Sequence, residues 1–138
     1  MFVPDGVKVL FLDDDETRHD LFVQMMGDRL EVVQTRGFFE TVKVLKEHKF
    51  HTVFLDHDLG DHRRPDRIAG MYGKGPELTG EDVARYIFNN PETHPTQCVV
   101  HSHNPDGAKN IASWMRKVCP VEVAPFGMIF TNIGGRND

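Results

Sequence analysis

The stretch VLFLDDDETRHDLF, Val9 to Phe22, decides how the chain is read. Four apolar residues form a short buried-strand pattern, three carboxylates follow at once, and an amphipathic helix begins directly behind them. One aspartate at such a junction, Asp14 or Asp15, can cap the helix by accepting backbone N–H bonds. Capping needs only one carboxylate. Three neighbours repel each other and raise their own pKa values unless something positive intervenes, so Asp13 and Asp14 are candidate ligands of a hard divalent cation such as Mg²⁺.

Outward from this stretch the alternation repeats. Strand patterns rich in Val, Leu and Phe recur at Val7–Leu12, Leu30–Thr35, Thr52–Leu55, Gln97–Ser102 and Val121–Phe126. Between them apolar residues fall at helical spacing: Leu21, Phe22, Met25 and Met26; Phe38, Val42 and Leu45; Val83, Ala84, Ile87 and Phe88; Ala108, Ile111, Ala112, Met115 and Val118. Strand–helix alternation predicts an α/β fold, a parallel sheet covered on both faces with right-handed crossovers. The tail GMIFTNIGGRND is a candidate for a short extra edge strand, and no final helix is expected.

In such a sheet ligands bind beyond the carboxyl ends of the strands. The first, third and fourth strands end there in DDD (Asp13–Asp15), DHD (Asp56–Asp58) and HSHN (His101–Asn104). By strand alternation Asp56 and Asp58 share a face, which adds two carboxylates to the first-strand pair. His57 is a base, a ligand or a core histidine bonded to a carbonyl. His101 and His103 are candidate acid/base groups or ligands. Asn104 followed by Pro105 is a helix start, and its free N–H groups suit an anion. His19, His48, His51 and His94 read as solvated. TGED, from Thr79 to Asp82, is a near capping box.

The 138 residues suit one domain, 1–138, of ordinary soluble composition, 39% hydrophobic and 27% charged. A net charge of −5 without a basic block argues against general DNA binding. No run is long enough to span a membrane, and Cys98 and Cys119 suit two reduced thiols in a cytoplasmic protein. The segment 60–79 interrupts the alternation with glycines and prolines. Its Arg63, Arg64, Arg67 and Lys74 could meet anions, as a loop over the ligand rim.

VLFLDDDETRHDLF and VFLDHDLG resemble the first and third strands of two-component receiver domains, with Asp13 and Asp14 as the acidic pair, Asp56 at the phosphoacceptor position and Ser102 near the hydroxyl residue. That resemblance implies a flavodoxin-like three-layer sandwich with a five-stranded parallel sheet in the order 2-1-3-4-5. Receivers end the fifth strand in Lys-Pro, whereas Ala124 precedes Pro125 here, which counts against phosphoryl signalling. The combination of LDHDLG, TG.DVARYI and VHSHNPDGA.N is similar to a divergent group, the cyclic-phosphate-processing receiver-like proteins of bacteria and phages.

The resemblance implies a phosphoesterase acting on cyclic phosphate ends of nucleotides or RNA. In that reading Mg²⁺ or Mn²⁺ is held by Asp13, Asp14, Asp56 and Asp58. His101, His103 and His57 serve as acid/base groups, and Ser102, Asn104, Arg63, Arg64 and Arg67 hold phosphate. Two other readings stand beside it. One is a non-catalytic pseudo-receiver that binds a nucleotide or a protein. The other is a haloacid-dehalogenase-like phosphatase with Asp13 as nucleophile, Asp15 as acid/base, Thr17 following and Thr35 as the hydroxyl.

Overall fold

The computed structural model describes residues 1–60 and 78–132. Five strands, β1 (Lys8–Leu12), β2 (Glu31–Thr35), β3 (Thr52–Leu55), β4 (Gln97–Val100) and β5 (Val121–Val123), form one parallel sheet in the order β2-β1-β3-β4-β5. Helices α1 (Glu16–Met26), α2 (Phe38–Glu47), α3 (Gly80–Asn89), α4 (Pro105–Met115) and α5 (Phe126–Asn132) cover it on both faces. The fold is α/β, flavodoxin-like. Among the described residues no helix is long and apolar enough to cross a membrane.

Strand alternation divides the core in two. Val9, Phe11, Phe54 and Val99 pack with Phe22 and Met26 of α1 and with Phe126 and Ile129 of α5. Leu10, Leu12, Leu55 and Val100 pack on the other face with Leu45 of α2, Val83 and Ile87 of α3, and Ile111 and Met115 of α4. Residues two apart on a strand share a face, so this division also fixes where the strand-end residues point.

The helix starts are chemically specified. Asp15 caps α1, accepting from Thr17 N–H and Arg18 N–H. Thr79 and Asp82 complete a capping box on α3, and Asn104 caps α4 through Gly107 N–H at 2.9 Å.

Three expectations change. The tail residues Phe126–Asn132 form a helix, not a strand, because Phe126 and Ile129 bury against the α1-side cluster. The buried face of α1 is His19, Phe22 and Met26, whereas Leu21 and Met25 are exposed. His19 is therefore not solvated: its Nε2 lies 2.7 Å from the Asp13 carbonyl and its Nδ1 2.9 Å from Gln34 Oε1.

Candidate active site

The sheet register assembles the site. Leu12 pairs with Leu55, Leu55 with Val100 and Val100 with Val123. The next residues, Asp13, Asp56, His101 and Ala124, extend the same row: Asp56 N–H donates to Leu12 O at 3.2 Å, His101 N–H to Leu55 O at 3.0 Å and Ala124 N–H to Val100 O at 2.9 Å. Asp13, Asp56 and His101 lie two residues beyond Phe11, Phe54 and Val99, so they project on the α1 face. All three are buried, with 0%, 4% and 1% exposure.

One ligand atom from each of Asp13, Asp56 and His101 lies within 4.8 Å of the others. His101 Nε2 is 3.0 Å from Asp13 Oδ2, and its ring stacks on Phe11 at 5.0 Å with 8° between planes. Its Nδ1 is buried and has no hydrogen-bond partner among the described residues.

The positive charge demanded by the aspartates comes from α1. Arg18 grips Asp13 with both arms, Nε to Oδ2 at 2.8 Å and Nη2 to Oδ1 at 3.0 Å. Its other contacts reach Asp15 at 3.6 Å, Asp56 at 3.8 Å and Asp14 at 4.0 Å. The sequence reading missed Arg18. The available signal was its position in the first turn behind DDD, one turn from Asp14 and so able to fold back over it.

These contacts separate the two buried carboxylates. Burial works against the Asp13 anion, but hydrogen bonds from His101 and Arg18 outweigh it and hold the pKa at about 2. Asp56 lacks an equivalent grip: burial, then repulsion from Asp13, raises it to about 8 against the pull of Arg18. Burial lowers the pKa of His101 although the Asp13 contact opposes this. A neutral His101 still donates Nε2–H to Asp13. At neutral pH the group is one carboxylate, one carboxylic acid, a neutral imidazole and a guanidinium.

The remaining residues form a second layer on the rim. His57 Nδ1 lies 2.8 Å from Asp58 Oδ1, and Asn104 Nδ2 reaches the same oxygen at 3.5 Å. The Asp58 side chain is 67% exposed. It stands with His57 rather than in the Arg18 cluster because strand alternation lapses after Asp56. The chain turns at Gly60, whose φ of +55° favours glycine and where a Cβ would come 2.7 Å from Asp14 Oδ2.

Two further glycines permit close approach. A Cβ on Gly80 would meet Asp56 O at 1.9 Å, and one on Gly107 would meet His57 Cγ at 2.3 Å. Ser102 Oγ accepts from Asn104 N–H at 3.0 Å, and His103 is exposed. Arg63, Arg64, Arg67 and Lys74 lie outside the described residues. Asp15 Oδ1 accepts the cap N–H bonds of α1, and Thr35 Oγ1 accepts from Thr41 Oγ1.

The family model described as the cyclic-phosphate processing receiver domain matches residues 8–117. The chain belongs to that family. The cyclic-phosphate processing receiver domain here keeps the architecture of response-regulator receivers at low identity. The signal receiver domain of a Luxo repressor protein from Vibrio parahaemolyticus is similar over 92% of this chain and 86% of its own, with TM-score 0.63 and 18% identity. The response regulator TrrA from Thermotoga maritima, solved in complex with Mg²⁺ and BeF, is similar over 91% and 93%, with TM-score 0.61 and 16% identity. A CheY-like receiver domain from Methylobacillus flagellatus shares 10% identity over 86% of each chain, with TM-score 0.60. No curated protein matches the chain. At these identities the solved structures speak for the fold alone.

Proposed function

We propose that this domain is a metal-dependent phosphoesterase acting on cyclic phosphate ends of nucleotides or RNA. The observation that carries the reading is the convergence of Asp13, Asp56 and His101 at one buried row, in a member of a cyclic-phosphate processing family. The carboxylates of Asp13 and Asp56 suit a small hard divalent ion such as Mg²⁺ or Mn²⁺, with Asp14 beside them at the rim and His101 steadying Asp13 from behind. When bound, such an ion offsets phosphate charge and acidifies a water.

The chain's own groups do the rest. His101, buried and stacked on Phe11, positions Asp13 rather than touching substrate. His57, with Nδ1 held on Asp58, presents Nε2 as the acid/base group, and exposed His103 stands as its counterpart on the same rim. Water oxygen adds to phosphorus and gives up a proton. One ring P–O bond breaks, and the departing ribose oxygen takes a proton. The Ser102 hydroxyl and the Asn104 side-chain amide face the non-bridging oxygens. Ala124, in the strand-end row where signalling receivers carry lysine, supports hydrolysis over phosphoryl relay.

A non-catalytic pseudo-receiver has one observation in its favour. Arg18 already fills the carboxylate cluster with charge, so the fold does not need an ion. Turnover separates the two readings. Nucleoside 2′,3′-cyclic phosphates and cyclic-phosphate RNA ends should be opened to monoesters with Mn²⁺ or Mg²⁺, and His57→Ala and His101→Ala should each slow the reaction. Tight binding without product across that panel would favour the pseudo-receiver.

A further inference from the structure

A cavity lies beside the site, between α4 and β5. It is an open groove of about 500 Å³, within the size range of small-molecule sites. Its lining includes Ala108 and Ala112 on the helix and Val123 and Pro125 at the end of β5, which make one side of it apolar. The small side chains create the space.

The charge of this groove runs against that of the chain. Among the described residues no acidic one lines it, although the net charge is −5. Lys109 on α4 and Arg116 at its C-terminal cap do, and both are exposed. Seven residues apart, their backbones are separated by about 10 Å along the helix, a span better suited to successive anionic groups than to a single one. Ser102 and His103 form the end nearest the acidic cluster, immediately after His101. The same turn therefore borders both the buried carboxylates and the groove.

We propose that the groove holds the single-stranded RNA that leads to the cyclic phosphate. The terminal nucleoside lies against Ala108, Ala112 and Pro125, and the preceding phosphodiesters meet Lys109 and Arg116. This assignment rests on the phosphoesterase reading and narrows it: the substrate is an RNA end rather than a free cyclic nucleotide.

Binding to the full chain, without added metal, tests it independently of turnover. A fluorescent hexaribonucleotide with a 2′,3′-cyclic phosphate end is titrated by anisotropy, with the matching nucleoside 2′,3′-cyclic phosphate as competitor. The oligonucleotide should bind at least about tenfold tighter. Lys109→Glu/Arg116→Glu should bring that ratio to about one and flatten the salt dependence of log K by about 1.4, the loss of two single-strand phosphate contacts. Lys109→Arg/Arg116→Lys should keep both the ratio and the slope. A mononucleotide that competes as well as the oligonucleotide, or charge reversal without effect on either quantity, overturns the assignment. The phosphoesterase reading is judged separately, by metal-dependent ring opening at either kind of cyclic phosphate end.

Discussion

At the scale of single residues, the site is a problem of charge. Asp13 and Asp56 are both buried, and Arg18 neutralises the first far better than the second. Replacing Arg18 by alanine leaves a buried anion without its partner, at a cost of about 3 kcal/mol. The expected result in thermal denaturation is a lower melting temperature without metal and a larger upward shift on adding Mn²⁺ than in the wild type. Equal shifts would mean that Arg18 and the ion do not share the carboxylates.

Asp56 adds a pH dependence with a definite sign. Its pKa is about 8 when folded against an ordinary 3.8. Between those values the folded chain keeps a proton that the unfolded chain has released, so stability falls as pH rises from about 4 to about 8. Asp56→Asn should remove this slope and stabilise the domain at pH 8, read from urea unfolding at several pH values. Asp13 acts oppositely: its contribution is complete above the unfolded value of 3.8 and disappears as pH falls through about 2.

At the scale of elements, caps and close approaches hold the rim. Thr79→Ala removes the α3 cap and should cost about 1 kcal/mol in chemical denaturation. Gly107→Ala places a methyl group on the His57 ring. Turnover should drop about a hundredfold if His57 is the acid/base group, and unchanged turnover would remove His57 from that role. Much at this scale was legible. Apolar runs ending in Asp13, Asp56 and His101 announce the rim, and Thr79 and Asn104 announce helix starts. Helix α5 was hidden because FGMIFTN is rich in residues that suit strands, and tertiary burial of Phe126 and Ile129 overrides that preference. The buried face of α1 was hidden because His19 counts as polar until its two partners are known. Asp58 was grouped with Asp56 by a period-two rule that holds only while the strand lasts.

At the scale of the molecule, the order β2-β1-β3-β4-β5 places the three site strands side by side. Neighbouring parallel strands lie about 4.8 Å apart, so residues far apart in sequence meet at a distance fitted to one ion. That convergence was legible from the alternating pattern and the rule for open sheets. The arginine that sits among the carboxylates was not, because nothing in sequence shows which of four nearby carboxylates a helix side chain will reach. Binding an ion means displacing both Arg18 and the Asp56 proton, so metal affinity should rise with pH until Asp56 ionises near 8.

Calorimetric titration of Mn²⁺ into the wild-type domain and Asp56→Asn, each in buffers of different ionisation enthalpy at pH 7, tests the central claim most directly. The account predicts one site per chain in the wild type with close to one proton released per ion, and loss of that release together with weaker binding in the variant. No saturable binding to the wild type, or identical isotherms for the two proteins, would contradict it.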